Sequence, residues 1–275
     1  MAALLVGLAT WMLKKHYLYM GISTIFAACL VLVPPARVFL QAKDKVRSTS
    51  LWTIAQMNVH EPNTSFAQVV ATARATGADL LSMQEIDTTW RKRLDAGLSD
   101  LYPWHIHGAG ERNYGIALYS NMPLEQAEVM ELEGLPTIRA VVGHQNSRVQ
   151  VLAVHLRAPE SAEKLSQRNT QWNSLAELVQ KADIPVCLIG DLNTVPWDEA
   201  YKRFTARTGM RTGPWSLIPT WPAMAGTAVI PLDHILTTSG LCMLGVRAFS
   251  IPGSDHRGLW TNVQVPVQDT PRAGR

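Results

Sequence analysis

The fold can be traced from one short stretch of sequence, Leu188-Ile189-Gly190-Asp191-Leu192-Asn193. The segment 185–189 that leads into it has only apolar side chains and predicts a buried strand. A helix is predicted at 197–207, so the chain must turn between the two. Asp191 and Asn193 are therefore expected to project from the end of that strand.

Polar side chains follow apolar, β-branched runs in the same way at five other places. They are Asn58, Glu85 in Ser82-Met83-Gln84-Glu85, His155, the pair Asp233-His234, and the pair Asp255-His256. Each should lie at the end of a strand. Carboxylates, amides and imidazoles gathered at one edge of a sheet can hold a divalent metal and cleave a phosphate ester.

Hydrophobic periodicity predicts how strands and helices follow one another. Strands are predicted at 51–57, 80–83, 114–120, 138–143, 149–154, 185–189, 233–237, 243–249 and 259–265, and helices at 65–75, 161–181 and 197–207. Strands alternate with helices early in the chain, whereas strand pairs dominate late. This order predicts an α/β fold of packed mixed sheets with helices on their outer faces.

The charge of the chain is unevenly distributed. Residues 1–50 hold six basic residues and one acidic residue, which leaves 19 basic and 21 acidic residues in the remainder. That remainder lacks the broad positive field of a tight nucleic-acid binder, which counts against a high-affinity nuclease without excluding one. The three cysteines have no metal-ligand spacing and are expected to be small packed hydrophobes.

The first forty residues differ from the rest of the chain. Two apolar runs, 2–13 and 17–33, flank Lys14-Lys15-His16, and the second run has 17 residues. As a helix it would span roughly 25 Å, and continuation to Leu40 would approach the ~30 Å hydrocarbon core. Residues 1–40 therefore predict one or more transmembrane helices, with a cleaved signal peptide or a buried core helix as alternatives.

The predicted orientation in the membrane rests on basic residues. Lys14-Lys15 favours a cytoplasmic loop, which would place the following domain on the outer, periplasmic face of a bacterial inner membrane. Basic residues between 37 and 47 favour the opposite orientation, so both stay open. Residues 41–50 are expected to form a linker, 51–267 a catalytic domain, and 268–275 a disordered tail.

The six polar motifs resemble those of the endonuclease/exonuclease/phosphatase superfamily, with its deoxyribonuclease-I-like fold, in order and rough spacing over about residues 51–265. Leu192 stands where that family usually has phenylalanine. Asn113-Tyr114-Gly115 and Pro219-Thr220-Trp221-Pro222 also resemble a branch that carries N-terminal membrane helices. The resemblance implies two packed mixed sheets in a four-layer α/β/β/α sandwich.

The resemblance and the residue chemistry together imply roles. The implied catalytic residues are Asp191, Asn193, His155, Asp233 and His256; the implied substrate contacts are Asn58 and Asn113; the implied metal ligands are Glu85, Asn58 and Asp255. Mg²⁺ is the expected cofactor, with Mn²⁺ as an alternative, because hard cations take oxygen ligands. Asp233 is expected to hydrogen-bond the far ring nitrogen of His256, whereas His234 should face away from the site.

These features predict a membrane-anchored, metal-dependent phosphoesterase that acts on phosphodiester or phosphomonoester bonds. Its substrate would be a nucleic acid or a phospholipid headgroup, its second partner the lipid bilayer, and no protein partner can be inferred. A phospholipid- or inositol-phosphate-directed enzyme is the alternative, and an inactive membrane scaffold is a third. His105 and His107 have the spacing of a metal pair, but nothing near them in the sequence completes a site.

Overall fold

Two β-sheets organise the computed structural model, which describes residues 49–144, 147–213, 217–223 and 227–267. The strands are β1 (Thr49–Asn58), β2 (Leu80–Gln84), β3 (Trp104–Gly108), β4 (Ile116–Ser120), β5 (Leu124–Leu132), β6 (Leu135–His144), β7 (Ser147–His155), β8 (Val186–Asp191), β9 (Asp233–Thr237), β10 (Cys242–Ser250) and β11 (Arg257–Pro266). The helices are α1 (Phe66–Ala75), α2 (Thr88–Leu98), α3 (Ala162–Gln180) and α4 (Glu199–Thr208).

Each sheet has one parallel strand pair that brings polar residues to a common edge. The order is β10-β11-β1-β2-β4-β3 in one sheet and β5-β6-β7-β8-β9 in the other. The parallel pairs are β1 with β2, which sets Asn58 beside Gln84, and β7 with β8, which sets His155 beside Asp191. Strand β9 runs antiparallel to β8, so its first residue, Asp233, also lies beside Asp191.

Three apolar layers hold these elements together. Side chains from both sheets, such as Leu118 and Ile189, fill the space between them. A second cluster packs α1 and α2 on the six-stranded sheet, and a third packs α3 and α4 on the five-stranded sheet. The prediction of two packed mixed sheets with flanking helices is therefore confirmed.

Strand β8 has an uninterrupted apolar run because both of its faces are buried. Cys187 and Ile189 face the layer between the sheets, whereas Val186 and Leu188 face the helices. Because successive side chains point to opposite faces, both sets must be apolar. The charged Asp191 comes only where the strand ends.

Some elements differ from the sequence prediction. Strand β5 was missed because most of its side chains are exposed, so no apolar run marks it. Helix α4 begins at Glu199, two residues later than predicted, because the Asp198 side chain caps it by accepting from the Ala200 N–H. Strand β1 begins at Thr49, inside the predicted linker.

The predicted membrane segment, residues 1–40, and the predicted tail, 268–275, lie outside the described residues. Within the part of the chain that the structure describes, no helix has both the length and the apolar character needed to cross a bilayer.

Gly190, near the end of β8, should not tolerate a residue with a side chain. Its φ is +146°, and a Cβ there would collide with the carbonyl oxygen of Val154 on the neighbouring strand. We expect Gly190→Ala to lower the free energy of unfolding by roughly 2–4 kcal/mol, because backbone strain adds to overpacking. Urea denaturation measures this change.

Gly143→Ala is the matched control for that variant. Gly143 lies in β6, and the nearest atom to an added Cβ is 3.5 Å away, which is ordinary van der Waals contact. We expect its free energy of unfolding to change by less than about 1 kcal/mol. Equal losses of unfolding free energy in the two variants would show that the positive φ of Gly190 and its close approach to Val154 do not require glycine.

Candidate active site

Asn58 joins the polar ends of the two sheets. Its side-chain nitrogen donates to Glu85 Oε1 and to Asp191 Oδ2, both at 3.1 Å. Asn58 is fully buried at the end of β1, while Glu85 follows β2 and Asp191 ends β8. Three residues far apart in sequence therefore form one cluster between the carboxyl ends of the parallel pairs.

Glu85 is held in a strained backbone conformation. Its φ is +64°, in the left-handed region that a side chain with a Cβ rarely adopts. The carboxylate is nearly buried, with Oε2 accepting the Glu61 N–H at 2.9 Å and Oε1 accepting from Asn58. Such strain persists only where the surroundings fix it, and it is concentrated at functional sites.

His256 and Asp233 form a buried charged pair. His256 Nδ1 lies 2.8 Å from Asp233 Oδ2, and Gln56 Nε2 donates to Asp233 Oδ1 at 2.6 Å. Burial alone would lower the pKa of His256, but the charge and hydrogen bond of Asp233 raise it to about 10. Burial likewise opposes ionisation of Asp233, yet His256 holds the pKa of that carboxyl below its usual value. His256 is therefore an imidazolium at neutral pH.

Asp191 titrates far above a normal aspartate. Burial and the neighbouring charge of Asp233 raise its pKa to about 7, although His256 pulls in the opposite direction. Its Oδ1 accepts the Asn193 N–H at 2.9 Å, which leaves Oδ2 facing His256 Nε2 at 3.7 Å. A carboxyl with this pKa can orient a water molecule and take up a proton near neutral pH.

His155 enters the site as a neutral ring. Its Nε2 lies 3.5 Å from Asp191 Oδ2, and its ring centroid is 4.8 Å from that of Tyr114. Burial and the nearby positive charge of His256 lower its pKa to about 3. The neutral form suits a contact with a phosphate oxygen better than a role as general acid.

Asp255 lies at the more exposed margin of the cluster. Its Oδ2 accepts from Trp221 Nε1 at 3.0 Å, and its Oδ1 is 3.2 Å from His60 Nδ1. That same His60 nitrogen is 3.9 Å from Glu85 Oε2. The two predicted acidic metal ligands, Glu85 and Asp255, therefore flank one histidine.

Two of the predicted site residues, Asn193 and Asn113, have side chains that do not hydrogen-bond to the other side chains of the cluster among the described residues. Asn193 has φ +44° and donates its side-chain N–H to the Leu156 carbonyl at 2.8 Å, so its amide nitrogen ties β7 to the turn after β8. Asn113 lies on the half-buried turn Arg112–Tyr114 beside His155, and its side chain has no hydrogen bond to the cluster among the described residues. Its substrate-binding role stays a prediction.

His234 faces away from the site, as predicted. Its Nε2 lies 2.8 Å from the Thr194 carbonyl oxygen, and its ring packs on Tyr201 with centroids 5.2 Å apart. Alternation along β9 separates it from Asp233, which faces the cluster. His234 therefore has a structural role in the packing of α4.

Sequence reasoning missed two buried or partly buried contributors. Gln56 lies inside β1 and donates from one nitrogen to both Gln84 Oε1 and Asp233 Oδ1. His60 has φ +61° and is the last residue of the triplet Asn58-Val59-His60. The polar Gln56, between the apolar residues Ala55 and Met57 of β1, was the available signal, since buried polar groups need partners.

The donor set suits a hard divalent cation. Glu85, Asp191 and Asp255 supply carboxylate oxygens, and the buried carboxylates exceed the positive charge of His256. Asn58, in contrast, turns its oxygen to the His60 N–H at 3.0 Å and its nitrogen to the carboxylates. In this orientation both N–H groups of the Asn58 amide are used by the carboxylates, and metal ligation would require its oxygen to turn towards them. The predicted metal and substrate contacts of Asn58 therefore stay predictions.

A second grouping of acidic and imidazole atoms also lies within reach of one ion. Asp191, Asp233 and His256 each offer one atom, all within 4.8 Å of one another. Asp233 and His256, however, are bound to each other. We therefore assign the metal to the side of the cluster at Glu85, where the ligands are oxygens, and that assignment stays a prediction.

Fold, site geometry and sequence agree on the class of protein. Residues 55–256 match the model of the Endonuclease/Exonuclease/phosphatase family, so the chain belongs to this family. No curated protein sequence matches the chain significantly.

Solved structures show the same fold at low sequence identity. An endonuclease/exonuclease/phosphatase from Beutenbergia cavernae is 19% identical with a TM-score of 0.67, and covers 78% of this chain and 72% of its own. D. rerio TDP2 complexed with a single-strand DNA product is 16% identical with a TM-score of 0.66, covering 78% and 99%. Sphingomyelinase C from Streptomyces griseocarneus is 16% identical with a TM-score of 0.60, also covering 78% and 99%.

Replacing Glu85 by glutamine should separate metal binding from folding. We expect Glu85→Gln to weaken Mg²⁺ binding by about tenfold or more, because it removes a charged oxygen ligand. Glutamine keeps the shape and can still accept the Glu61 N–H, but its NH2 group cannot accept from Asn58. The loss of one hydrogen bond should lower the free energy of unfolding by no more than about 2 kcal/mol. Calorimetric titration and urea denaturation measure the two quantities.

Glu177→Gln provides the matched control for this loss of charge. Glu177 lies on α3 and forms an exposed i,i+4 pair with Lys181. Its Mg²⁺ affinity should equal that of the wild type. A large loss of stability in Glu85→Gln with intact Mg²⁺ binding would show that the ligand has been misplaced.

Proposed function

We propose that this protein is a divalent-metal-dependent phosphoesterase that hydrolyses phosphodiester bonds in a nuclease-like reaction. The observation that carries the proposal is the double hydrogen bond of Asn58, 3.1 Å to Glu85 and 3.1 Å to Asp191. This contact gathers a hydrogen-bond donor, a candidate metal ligand and a candidate base within the reach of one phosphate group. Family membership supports a phosphoester substrate.

Asp191 is the group that would activate the water. Its Oδ1 accepts the Asn193 N–H and its Oδ2 accepts from Asn58, so the carboxylate is held in one orientation. From that orientation Oδ2 would accept a further hydrogen bond from a water molecule placed for in-line attack on phosphorus. Its pKa of about 7 is matched to taking up the proton that the water releases. Asn193 therefore acts by positioning the carboxylate.

His256 would stabilise the charge that develops on the phosphoryl oxygens. It is protonated at neutral pH, and Asp233 fixes its orientation so that Nε2 points into the cluster. The neutral His155 ring can donate a further hydrogen bond to the same oxygens. Both N–H groups of the Asn58 amide are taken by Glu85 and Asp191, so Asn58 acts by holding those two carboxylates in place. Mg²⁺ or Mn²⁺, when held by Glu85 and Asp255, would neutralise phosphate charge and acidify the bound water.

Two classes of substrate are compatible with this proposal. Nucleic acid is the first candidate, since D. rerio TDP2, a similar structure, is complexed with a DNA product. A phospholipid or inositol-phosphate headgroup is the second. It is favoured by the balance of 21 acidic and 19 basic residues beyond position 50, which gives no broad attraction for polyanions.

Membrane anchoring belongs to the same proposal. The apolar runs 2–13 and 17–33 support insertion of residues 1–40 into a bacterial inner membrane, with the catalytic domain on the periplasmic face. We expect the full chain to stay with the membrane fraction after alkaline carbonate washing. Protease added to spheroplasts should digest the domain, and digestion only after lysis would reverse the orientation.

Activity should depend on the Asp191 carboxylate. We expect Asp191→Ala to lower the turnover of bis-p-nitrophenyl phosphate in Mg²⁺ by roughly a hundredfold or more, because the general base is lost. Asp183→Ala, the same change at an exposed position before β8, should retain wild-type turnover. Chelation of divalent metals should abolish the activity of both.

A substrate screen with the same variants separates the remaining alternatives. Single- and double-stranded DNA, RNA, phosphoinositides and sphingomyelin would be compared by kcat/KM, and we expect a nucleic acid to rank first. A phosphoinositide or sphingomyelin ranking first would establish the lipid-directed alternative. No turnover of any substrate, with no effect of Asp191→Ala, would indicate an inactive scaffold.

A further inference from the structure

A second cluster of metal-binding side chains lies on the outer face of the six-stranded sheet. His105 and His107 alternate with Ile106 along the edge strand β3 and pair opposite Tyr119 and Ala117 of β4. Tyr119 and Ala117 pack in the layer with α1 and α2, whereas Ile106 packs between the sheets. Both imidazoles therefore face helix α2 and not the layer between the sheets.

Helix α2 supplies the carboxylate that the sequence around the histidines lacks. Asp95 Oδ1 lies 3.0 Å from His107 Nε2 and 4.0 Å from His105 Nε2. One ligand atom from each of the three residues lies within 4.8 Å of the other two. Ligand atoms around a tetrahedral zinc ion are about 3.4 Å apart, so small side-chain rotations would bring the three into place.

His107 has unused hydrogen-bonding capacity inside this cluster. Its side chain is 8% exposed, yet neither ring nitrogen makes a hydrogen bond with any residue that the structure describes. Nε2 is close to Asp95 Oδ1 without the geometry of a hydrogen bond, which leaves both atoms able to face a common third partner. Buried polar atoms are normally satisfied, so a missing partner is expected here.

The neighbouring groups hold the cluster ready for a cation. The Tyr119 hydroxyl donates to Asp95 Oδ1 at 2.9 Å, which orients the carboxylate in the manner of an outer-shell partner. One neighbouring group acts against cation binding: the positively charged Arg91, whose Nε lies 3.6 Å from Asp95 Oδ2, would repel a bound cation.

We propose that Asp95, His105 and His107 form a second metal site, which takes a borderline transition-metal ion such as Zn²⁺. Two imidazoles and one carboxylate suit Zn²⁺, whereas Mg²⁺ requires oxygen ligands. His105 is one-third exposed, so solvent can supply the fourth ligand. A bound ion would tie the edge strand β3 to helix α2, independently of the proposed phosphoesterase chemistry.

Metal binding by the full chain tests this site. Chelator-stripped protein would be titrated with Zn²⁺ by calorimetry and with Co²⁺ by visible absorption, both in excess Mg²⁺ to fill the oxygen-rich site. We expect one equivalent of Zn²⁺ and a Co²⁺ spectrum of tetrahedral type. His105→Gln should weaken Zn²⁺ binding at least tenfold and remove that spectrum.

Two control variants locate the ion. Asp191→Asn should keep the Zn²⁺ equivalent, because its carboxylate belongs to the other cluster. Asp100→Asn removes one carboxylate charge just beyond the end of α2, where Asp100 pairs with Arg74. This variant should also bind one equivalent of Zn²⁺ with wild-type affinity. Loss of the equivalent in Asp191→Asn, or its retention in His105→Gln, would overturn the proposal.

Folding must be intact for these comparisons. His105 is the more exposed of the two histidines, and its variant should keep the wild-type circular dichroism spectrum. Asp95→Asn serves as the second variant if His105→Gln is misfolded, and it should show the same tenfold loss of Zn²⁺ affinity. Two folded variants with unchanged Zn²⁺ binding would leave no metal site on this face.

Discussion

The candidate active site depends on one buried amide. Asn58 donates from a single nitrogen to Glu85 and to Asp191, and thereby connects the end of β2 in one sheet to the end of β8 in the other. Without that donor, two carboxylates would face each other in a region from which water is largely excluded, and their repulsion would be weakly screened. The packing of the two sheets against each other therefore also determines where the polar groups of the candidate active site lie.

The second constraint is the distribution of charge among buried groups. The negative charge of Asp233 keeps His256 protonated at neutral pH, while Asp191 is left with an elevated pKa. Two aspartates on adjacent strands, in register with each other, thus acquire opposite properties from their surroundings alone. His155, in the same cluster, is kept neutral by burial and by His256.

Sequence patterns predicted nine of the strands, three of the helices and the family, because these depend on local signals. The apolar run of β8 and the polar residues at strand ends were sufficient, and membership of the family is confirmed. Strand β5 was not predictable because charged and polar residues interrupt its apolar ones. The partnership of Asp95 with two histidines was not predictable because it depends on how α2 packs. The amide orientation of Asn58 depends on the His60 backbone, which no sequence pattern specifies.

Left-handed backbone conformations occur at Glu85, His60 and Asn193, three of the non-glycine residues around this site. Each such conformation costs free energy that the rest of the fold must offset. Selection of the protein for heat resistance would therefore favour glycine at these positions, and the carboxylate of Glu85, the proposed metal ligand, would then be lost. In this fold, greater thermal stability and the proposed metal site are therefore competing evolutionary demands.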